Sequence, residues 1–462
     1  MKRALPHDAA LPQLAQALDG DAMAPVFAAA FPSLRVAGCA IDRVKYRPRR
    51  NCSVAYRLQL RDPRDGRKFE QRIAARFCSG GEAARRHRHA QARASVASAA
   101  GPALIHVPAL GMLAHCLPND ARLDALQLLG DAAALRARCL DRVVAALTAG
   151  RGRLVDHHTT LVQVVPELRV CARVELRWRR DAGSAVETQT LYAKADLGRD
   201  GAVTHAVMQA LSDSPAQAGG CLRSARSLLW QADAGLHWQF ALPGATLHDT
   251  RPAIDAAASA RVGEALAALL RTPVPAAPAV GVGRLHSRIA ESASMLADAE
   301  PAWRPALDGL RERLERGAAR LADLPIATLH GDLHPRNILD DGKQLAFIDL
   351  DSVQAGPAVI ELGGWVADAL YRATLDGMAP QQAAPSWRAF LAAHAQVSGR
   401  SPDAALLAWS TAHHLLCRRA RGCVANLKPG RYEAVPRLLA LADAIVRAGS
   451  VDAATAAQPE FA

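Results

Sequence analysis

Between residues 326 and 352 the chain reads IATLHGDLHPRNILDDGKQLAFIDLDS. A loop, HGDLHPRN, runs into a DDGK turn and then a short apolar strand, LAFID, which brings Asp332, Asn337 and Asp349 to one rim. Phosphoryl transfer from a nucleotide asks for little more than such a rim. One carboxylate must accept the proton of an attacking hydroxyl, and hard oxygen ligands must hold the Mg²⁺ that bridges the phosphates. Asp332 suits the first role, and Asn337 and Asp349 suit the second. A lone HGD or ID is ordinary loop or strand-end sequence, and Asp341 and Asp351 read as turn and solvent residues. The whole constellation on one loop-turn-strand island is far rarer. His334 and Arg336 either face substrate or phosphate or solvate the loop.

The elements that must position this rim follow a repeated order. After a helical lead-in over residues 1–30, Val44 to Leu60 alternates with period two, DPRDG turns the chain, and a second strand runs from Phe69 to Phe77. Gly80 and Gly81 precede a helix, and short strands follow at 104–107 and 111–117. The order then returns: a strand at 162–178, a turn near DAGS, the strand LYAKA at 191–195, Gly198 and the helix GAVTHAVMQAL. At a fixed offset of 118 residues Pro48 meets Pro166, Leu58 meets Leu176, Gln71 meets Gln189, Gly80 meets Gly198 and Arg76 meets Lys194. SLLWQADAGLHWQFAL reads as two further strands. Beyond Pro243-Gly244 the pattern is helical, near 253–270, 284–323, 386–398 and 402–420, with the 326–352 island as its interruption.

Composition bounds the answer. With 462 residues the chain holds roughly three units of about 150 residues. Hydrophobic residues at 50% and charged residues at 22% exclude wholesale disorder, collagen-like chains and long coiled coils. No run approaches the roughly 18 apolar residues needed to span a bilayer, and His7 and Asp8 interrupt any signal-peptide core, so a cytoplasmic protein without membrane association is expected. Nine cysteines without a CxxC pair argue against a disulfide framework or a zinc knuckle, and His413, His414, Cys417 and Cys423 fit no common ligand spacing. The net charge of +12 is concentrated: residues 41–93 carry 14 Arg and 2 Lys against 5 acids. Such a field attracts anions, but only 4% aromatic residues leave few stacking platforms, so nucleic acid is not the expected partner.

The pattern H-G-D-x-x-x-x-N followed by I-D, met at His330, Gly331, Asp332, Asn337, Ile348 and Asp349, resembles the aminoglycoside phosphotransferase and choline kinase superfamily. The resemblance implies an α+β, protein-kinase-like fold of two lobes, a small antiparallel β lobe and a helical large lobe, with ATP and Mg²⁺ as cofactors. It makes Asp332 the catalytic base, Asn337 and Asp349 the metal ligands and His330 a loop-stabilising residue. GPAVIELGGWVADAL matches the family's stretch after the metal-binding Asp, with Glu361 bracing the loop where an Asp is more usual. The small lobe should hold the α- and β-phosphates with a lysine on its third strand. Lys194 in LYAKA, one of six lysines in the chain, takes that part. WQFALPGATLHD resembles the hinge, where backbone atoms of Ala241 and Leu242 meet adenine and Gly244 opens the large lobe. Two features depart from the family. No glycine lies between Thr159 and Arg180, so there is no Gly-rich phosphate loop, and the helix after Lys194 offers no glutamate, leaving His205 as an odd substitute.

Three units are therefore expected. Residues 1–155 form a basic unit, a degenerate copy of the small lobe with Arg76 in place of Lys194. Residues 156–245 form the small nucleotide-binding lobe and 246–462 the helical catalytic lobe. The expected activity is ATP- and Mg²⁺-dependent phosphorylation of a small hydroxylated molecule. The alternative is a nucleotide-binding pseudokinase whose basic N-terminal unit docks a partner. Asp351, Glu361 and the acidic positions around Asp368 either meet a cationic amine or are ordinary helix-surface residues, and the sequence leaves the identity of the acceptor open.

Overall fold

The two runs that alternate through Pro48 and Pro166 fold as hairpins rather than as single strands. The computed structural model describes residues 5–93, 95–98, 100–181, 183–250 and 255–457. It places β1 at Arg35–Arg47, β2 at Asn51–Arg61, β3 at Lys68–Cys78, β4 at Leu104–Val107 and β5 at Met112–Cys116. A second set follows: β6 at Arg153–Val165, β7 at Arg169–Arg179, β8 at Glu187–Asp196, β9 at Ser227–Gln231 and β10 at Leu236–Phe240. Both sheets are antiparallel, in the orders β1-β2-β3-β5-β4 and β6-β7-β8-β10-β9.

The strands expected over 44–60 and 162–178 are thus corrected, and the reason is geometric. Arg47 pairs with Asn51 and Val165 with Arg169, four positions on in each case, so the inward and outward alternation keeps its phase across the turn. Each turn closes by one backbone bond, Arg50 N–H to the Arg47 carbonyl at 3.1 Å and Leu168 N–H to the Val165 carbonyl at 3.0 Å. Proline sits second in both, and the third residue, Arg49 or Glu167, has φ of 59°. That left-handed conformation costs a non-glycine residue about 1–2 kcal/mol, so its recurrence at the same place ties the two hairpins together.

The correspondence continues through the sheets. β1 and β2 map onto β6 and β7 at the offset of 118, and a helix follows the third strand in each, Glu82–Gln91 and Gly201–Ser212. Arg76 lies between Ser53 and Leu113, and Lys194 between Cys171 and His237, so the two cations occupy equivalent places. The first sheet buries Val54, Tyr56 and Leu58 against Met23 and Phe27 of the lead-in helix Gly20–Ala28. Its core is continuous with that of the large lobe. The second sheet buries Leu176, Leu191 and Trp238 against Leu126, Leu140 and Val143, contributed by helices Asp124–Gly130 and Asp141–Thr148 and the turn between them.

The large lobe is helical, with principal helices Ala256–Arg271, Val282–Ala299, Arg304–Ala318, Ala358–Leu375, Ala384–Ser398, Ala404–His414 and Val435–Ala448. The helix expected over 284–323 is two, broken at the turn Pro301–Trp303, because proline is favoured in a first turn and not in a helix interior. Residues 1–4 of the lead-in and 253–254 of the next expected helix lie outside the described residues. Five short strands build the island: β11 at Ala245–Thr246, β12 at Ile326–Leu329, β13 at Ile338–Asp340, β14 at Leu345–Phe347 and β15 at Gln354–Pro357. β11, β13 and β14 form one small sheet, and β12 pairs with β15. Among the described residues no helix is long and apolar enough to cross a membrane.

Among the described residues one ion pair joins the two large sheets. The Arg76 guanidinium reaches Glu167 Oε2 at 2.7 Å, and Glu167 N–H donates to Asp120 Oδ2 at 2.9 Å. With side chains only 15% and 17% exposed, removal of either partner strands a half-buried charge. Arg76→Ala or Glu167→Ala should each cost about 1–3 kcal/mol in urea unfolding, with the double variant losing less than the sum. Additive losses would show that the sheets dock without this pair.

Candidate active site

The HGD loop is fixed on every side by its own sequence. β12 delivers His330, fully buried, whose Nε2–H donates to the Ile348 carbonyl at 3.0 Å and whose Nδ1 accepts from Asp332 N–H at 3.4 Å. One neutral tautomer serves both bonds. Gly331 has φ of 76°, and a Cβ there would overlap the Ser352 carbonyl, so no other residue fits. Its N–H donates to Glu361 Oε2 at 2.8 Å, from a carboxylate in the first turn of helix Ala358–Leu375, where the helix dipole favours negative charge. Asn337 Nδ2 donates to the Asp332 carbonyl at 3.0 Å, and Ile348 N–H donates to the Asn337 carbonyl at 3.0 Å. Loop and strand end are thereby stitched together, and Asn337 keeps its Oδ1 without a donor among the described residues.

Opposite the loop, Lys194 Nζ bridges Asp349 Oδ1 at 2.7 Å and Asp351 Oδ2 at 2.9 Å. Asp349 is itself left-handed, with φ of 59°, and one residue, Ile348, separates it from the end of β14. Burial would pull the Lys194 pKa down, but the two carboxylates outweigh it and raise it. Burial would lift Asp349, and the ammonium beside it holds it below the usual carboxylate range. Asp351 goes the other way, raised by burial, with the Asp349 carboxylate beside it pushing in the same direction. Asp351, read from the sequence as a solvent residue, is therefore part of the site. The lysine's missing helical partner is replaced by these carboxylates, whereas His205 bonds Ser227 Oγ at 2.5 Å, which in turn meets His237 at 2.8 Å.

Asp332 has a partner that sequence reasoning missed. Arg418, in the π-helical segment Leu415–Ala420, donates through one nitrogen to Asp332 Oδ1 and through the other to the Gly331 carbonyl at 2.9 Å. Nothing near Arg418 in the sequence marks it. His334 Nε2 lies 4.0 Å from the same carboxylate oxygen, and Arg336 bonds His248.

A cleft of about 1090 Å³ collects these groups: Lys194, Asp332, Asn337 and Asp349 line it together with His334 and Arg336. From the hinge come Leu242 and Gly244; Ala241 does not line it, and its N–H is spent on the Thr190 carbonyl at 3.3 Å. Gly244 has φ of 113°, and a Cβ there would lie 2.8 Å from the Asp340 carbonyl. The far wall is the first sheet, which contributes Arg43, Arg57 and Arg72. Arg169, at the start of β7 beside the glycine-free turn, faces the same space with its Nε buried and unpartnered. Burial and then Arg169 lower the pKa of Arg43, the mark of cations crowded without an anion between them. The arrangement offers a polyanion several guanidinium groups and one ammonium.

Residues 190–384 match the phosphotransferase enzyme family. The matched stretch holds Lys194, the hinge, the HGD loop, Asp349 and Glu361; Arg418, Arg169 and the first sheet lie outside it. A search of curated proteins finds no match. Among solved structures the chain is similar to the aminoglycoside phosphotransferase APH(4)-Ia, at 15% identity and a TM-score of 0.43, over 68% of this chain and 99% of that one. It is also similar to a choline kinase from Streptococcus pneumoniae, at 9% identity and a TM-score of 0.44, over 68% and 99%. A choline kinase from Cryptosporidium parvum gives 11% and 0.45, over 65% and 91%.

The phosphotransferase-family stretch supplies a donor set of the right chemistry for Mg²⁺. Asn337 Oδ1 and the Asp349 and Asp351 carboxylates are hard oxygens, and a cation, the Lys194 ammonium, already draws the two carboxylates together. Among the described residues no three His, Cys, Asp or Glu side chains form a self-contained metal site, so substrate oxygens would be needed to complete the shell.

Two outcomes test this geometry. Glu361→Ala leaves the Gly331 N–H without its acceptor and should lower stability by about 1–3 kcal/mol in thermal unfolding, whereas Glu361→Gln, which keeps an oxygen, should lose less. Burial, followed by neighbouring cations, holds His237 and His413 at about 3. The unfolded chain protonates both near 6.5, so between those values it binds more protons than the folded chain, and stability is full above about 6.5 and falls with pH below it. His413→Phe should flatten that decline in a series of melts from pH 7 to 4.

Proposed function

We propose that this chain is an ATP- and Mg²⁺-dependent O-phosphotransferase that acts, in the cytoplasm, on a hydroxyl of a small molecule. The observation that carries the reading is the meeting of Asp332, Asn337, Asp349 and Lys194 at the floor of one cation-lined cleft. Residues 156–245 serve as the small lobe, 246–462 as the catalytic lobe and 1–155 as a degenerate copy of the small lobe. That copy has Arg76 at the lysine position and has become the far wall of the nucleotide cleft.

Each part has a task. Leu242, which lines the cleft at the hinge, meets the adenine edge. Lys194 exchanges one carboxylate for the α- and β-phosphates, as a point charge on a flexible stem can. Arg169 and Arg43 supply from side chains the positive field that a glycine-rich loop supplies from backbone N–H groups. Asp332 orients the acceptor through Oδ2, which has no protein partner among the described residues, and takes its proton. The hydroxyl oxygen forms the new bond to phosphorus as the bond to the ADP oxygen breaks. When bound by Asn337 and Asp349, Mg²⁺ neutralises charge on the transferring phosphate.

Thermal shift with ATP and Mg²⁺, separately and together, tests the nucleotide site. Wild type should be stabilised by the pair, and Asp349→Ala should lose that response while still folding. Asp332→Asn should keep the shift and lose about 10²–10⁴-fold in ADP release. A shift without turnover on any acceptor would instead support the pseudokinase reading, and no shift in well-folded wild type would remove both.

A further inference from the structure

A second cavity, of about 540 Å³, has Arg169, Asp332 and Asp349 in common with the nucleotide cleft, is lined by no hinge residue, and is lined also by Arg199, Arg288 and Arg418. It shares both carboxylates with the nucleotide cleft, so on the phosphotransferase reading it is where an acceptor hydroxyl meets its base. Its charges decide what can enter.

Every acid in it is already engaged. Asp332 is held by Arg418, Asp349 and Asp351 hold Lys194, Glu361 accepts from Gly331 N–H, and Asp196 accepts from Gly198 N–H at 2.7 Å. Asp368, which the sequence offered to a cationic amine, is outside the cavity and neutralised by Arg372 at 2.8 Å and Arg419 at 3.1 Å. The arginines are in the opposite condition. Arg284 and Arg288 lie one turn apart on helix Val282–Ala299 and so share a face, and neither has an ion pair among the described residues. Arg199 has only the Ser352 hydroxyl at 2.9 Å, and Arg421 only Glu291 at 4.0 Å. A cationic ligand would add to this repulsion; an oxyanion would relieve it, since guanidinium groups recognise carboxylate and phosphate in a paired geometry.

A buried polar group points the same way. His413 is 2% exposed, lines the cavity, and has both ring nitrogens buried without a partner. Burial and then Arg288 and Arg418 keep it neutral, so it can donate with one nitrogen and accept with the other. A hydroxylated ligand supplies both partners.

We propose that the acceptor is a hydroxylated oxyanion, a small molecule bearing a phosphate or a carboxylate that Arg284 and Arg288 grip while its hydroxyl is presented to Asp332. This rests on the phosphotransferase reading, and it departs from the cationic acceptor that the acidic residues suggested. Arg284 and Arg288 are then specificity-determining residues.

The test fills the nucleotide cleft first. Wild type, Arg284→Gln and the Arg284→Gln/Arg288→Gln double variant are melted with saturating Mg²⁺ and AMP-PNP, then titrated at matched ionic strength with inorganic phosphate, with lactate or with ethanolamine. Phosphate, lactate or both should stabilise wild type, the apparent affinity should fall about ten-fold or more in the double variant, a 1.4 kcal/mol change, and ethanolamine should shift neither. The single variant, at an exposed position, keeps the test decisive should the double variant misfold. Equal anion responses in wild type and variants, or stabilisation by ethanolamine, would overturn the proposal. An AMP-PNP shift that is present in all three proteins while the anion response behaves as expected or not separates this inference from the reading beneath it; absence of that shift in wild type would remove the reading itself.

Discussion

One ammonium group placed between two carboxylates organises this molecule. Asp349 and Asp351 stand two residues apart on a turn that only a left-handed residue can make, and burial would leave two such charges unaffordable without Lys194. The lysine comes from the middle of the second sheet, the aspartates from the island of the helical lobe. The bond between them is therefore one of the contacts that join the two lobes, beside the Ala225–Phe347 backbone bond and the Arg223–Asp341 ion pair. The same ammonium suits phosphates as well as carboxylates, so on the proposed function the pair would part when a polyanion binds. Stability and binding thus draw on one set of charges.

The first sheet is best understood from that centre. Where a glycine-rich turn would cover phosphates, this chain has Pro166 and Glu167, and Glu167 turns away to Arg76 of the neighbouring sheet. Arg76 stands where Lys194 stands in the other sheet, and there it is engaged in docking the two sheets. The first sheet presents Arg43, Arg57 and Arg72 to the cleft, Arg57 beside Asp42 and Arg72 beside Glu70. Part of the basic excess of residues 41–93 thus lies at the cleft, while Arg49, Arg50, Arg61, Arg64 and Arg67 are exposed.

Much of this was legible in the sequence because the chemistry is local there. HGDLHPRN and FID lie within one stretch, and the roles proposed for them follow from the oxygen donors they carry. The 118-residue offset was legible too, since it preserves Pro48 and Pro166 and the phase of the strands. That same phase concealed the turns, because a loop that sets Arg47 opposite Asn51 leaves the alternation unbroken. Groups that act from a distance left no trace: Arg418 reaches Asp332 from a segment 86 residues away. Asp351 looked like solvent only because its partner, Lys194, is 157 residues upstream. The sequence shows where the carboxylates lie but not which are engaged, since Asp368 is paired with Arg372 and Arg419 only in the fold.

The central claim is that Lys194, Asn337 and Asp349 form a phosphoryl-transfer centre. A crystal structure with Mn²⁺ and AMP-PNP tests it most directly, because the anomalous signal of manganese locates the ion independently of interpretation. The account predicts an anomalous peak within about 2.3 Å of Asn337 Oδ1 and an Asp349 oxygen, with the Lys194 ammonium on the nucleotide phosphates and the triphosphate beneath Arg169. A nucleotide bound elsewhere, with Lys194 still bridging Asp349 and Asp351 and no manganese beside Asn337, would contradict it.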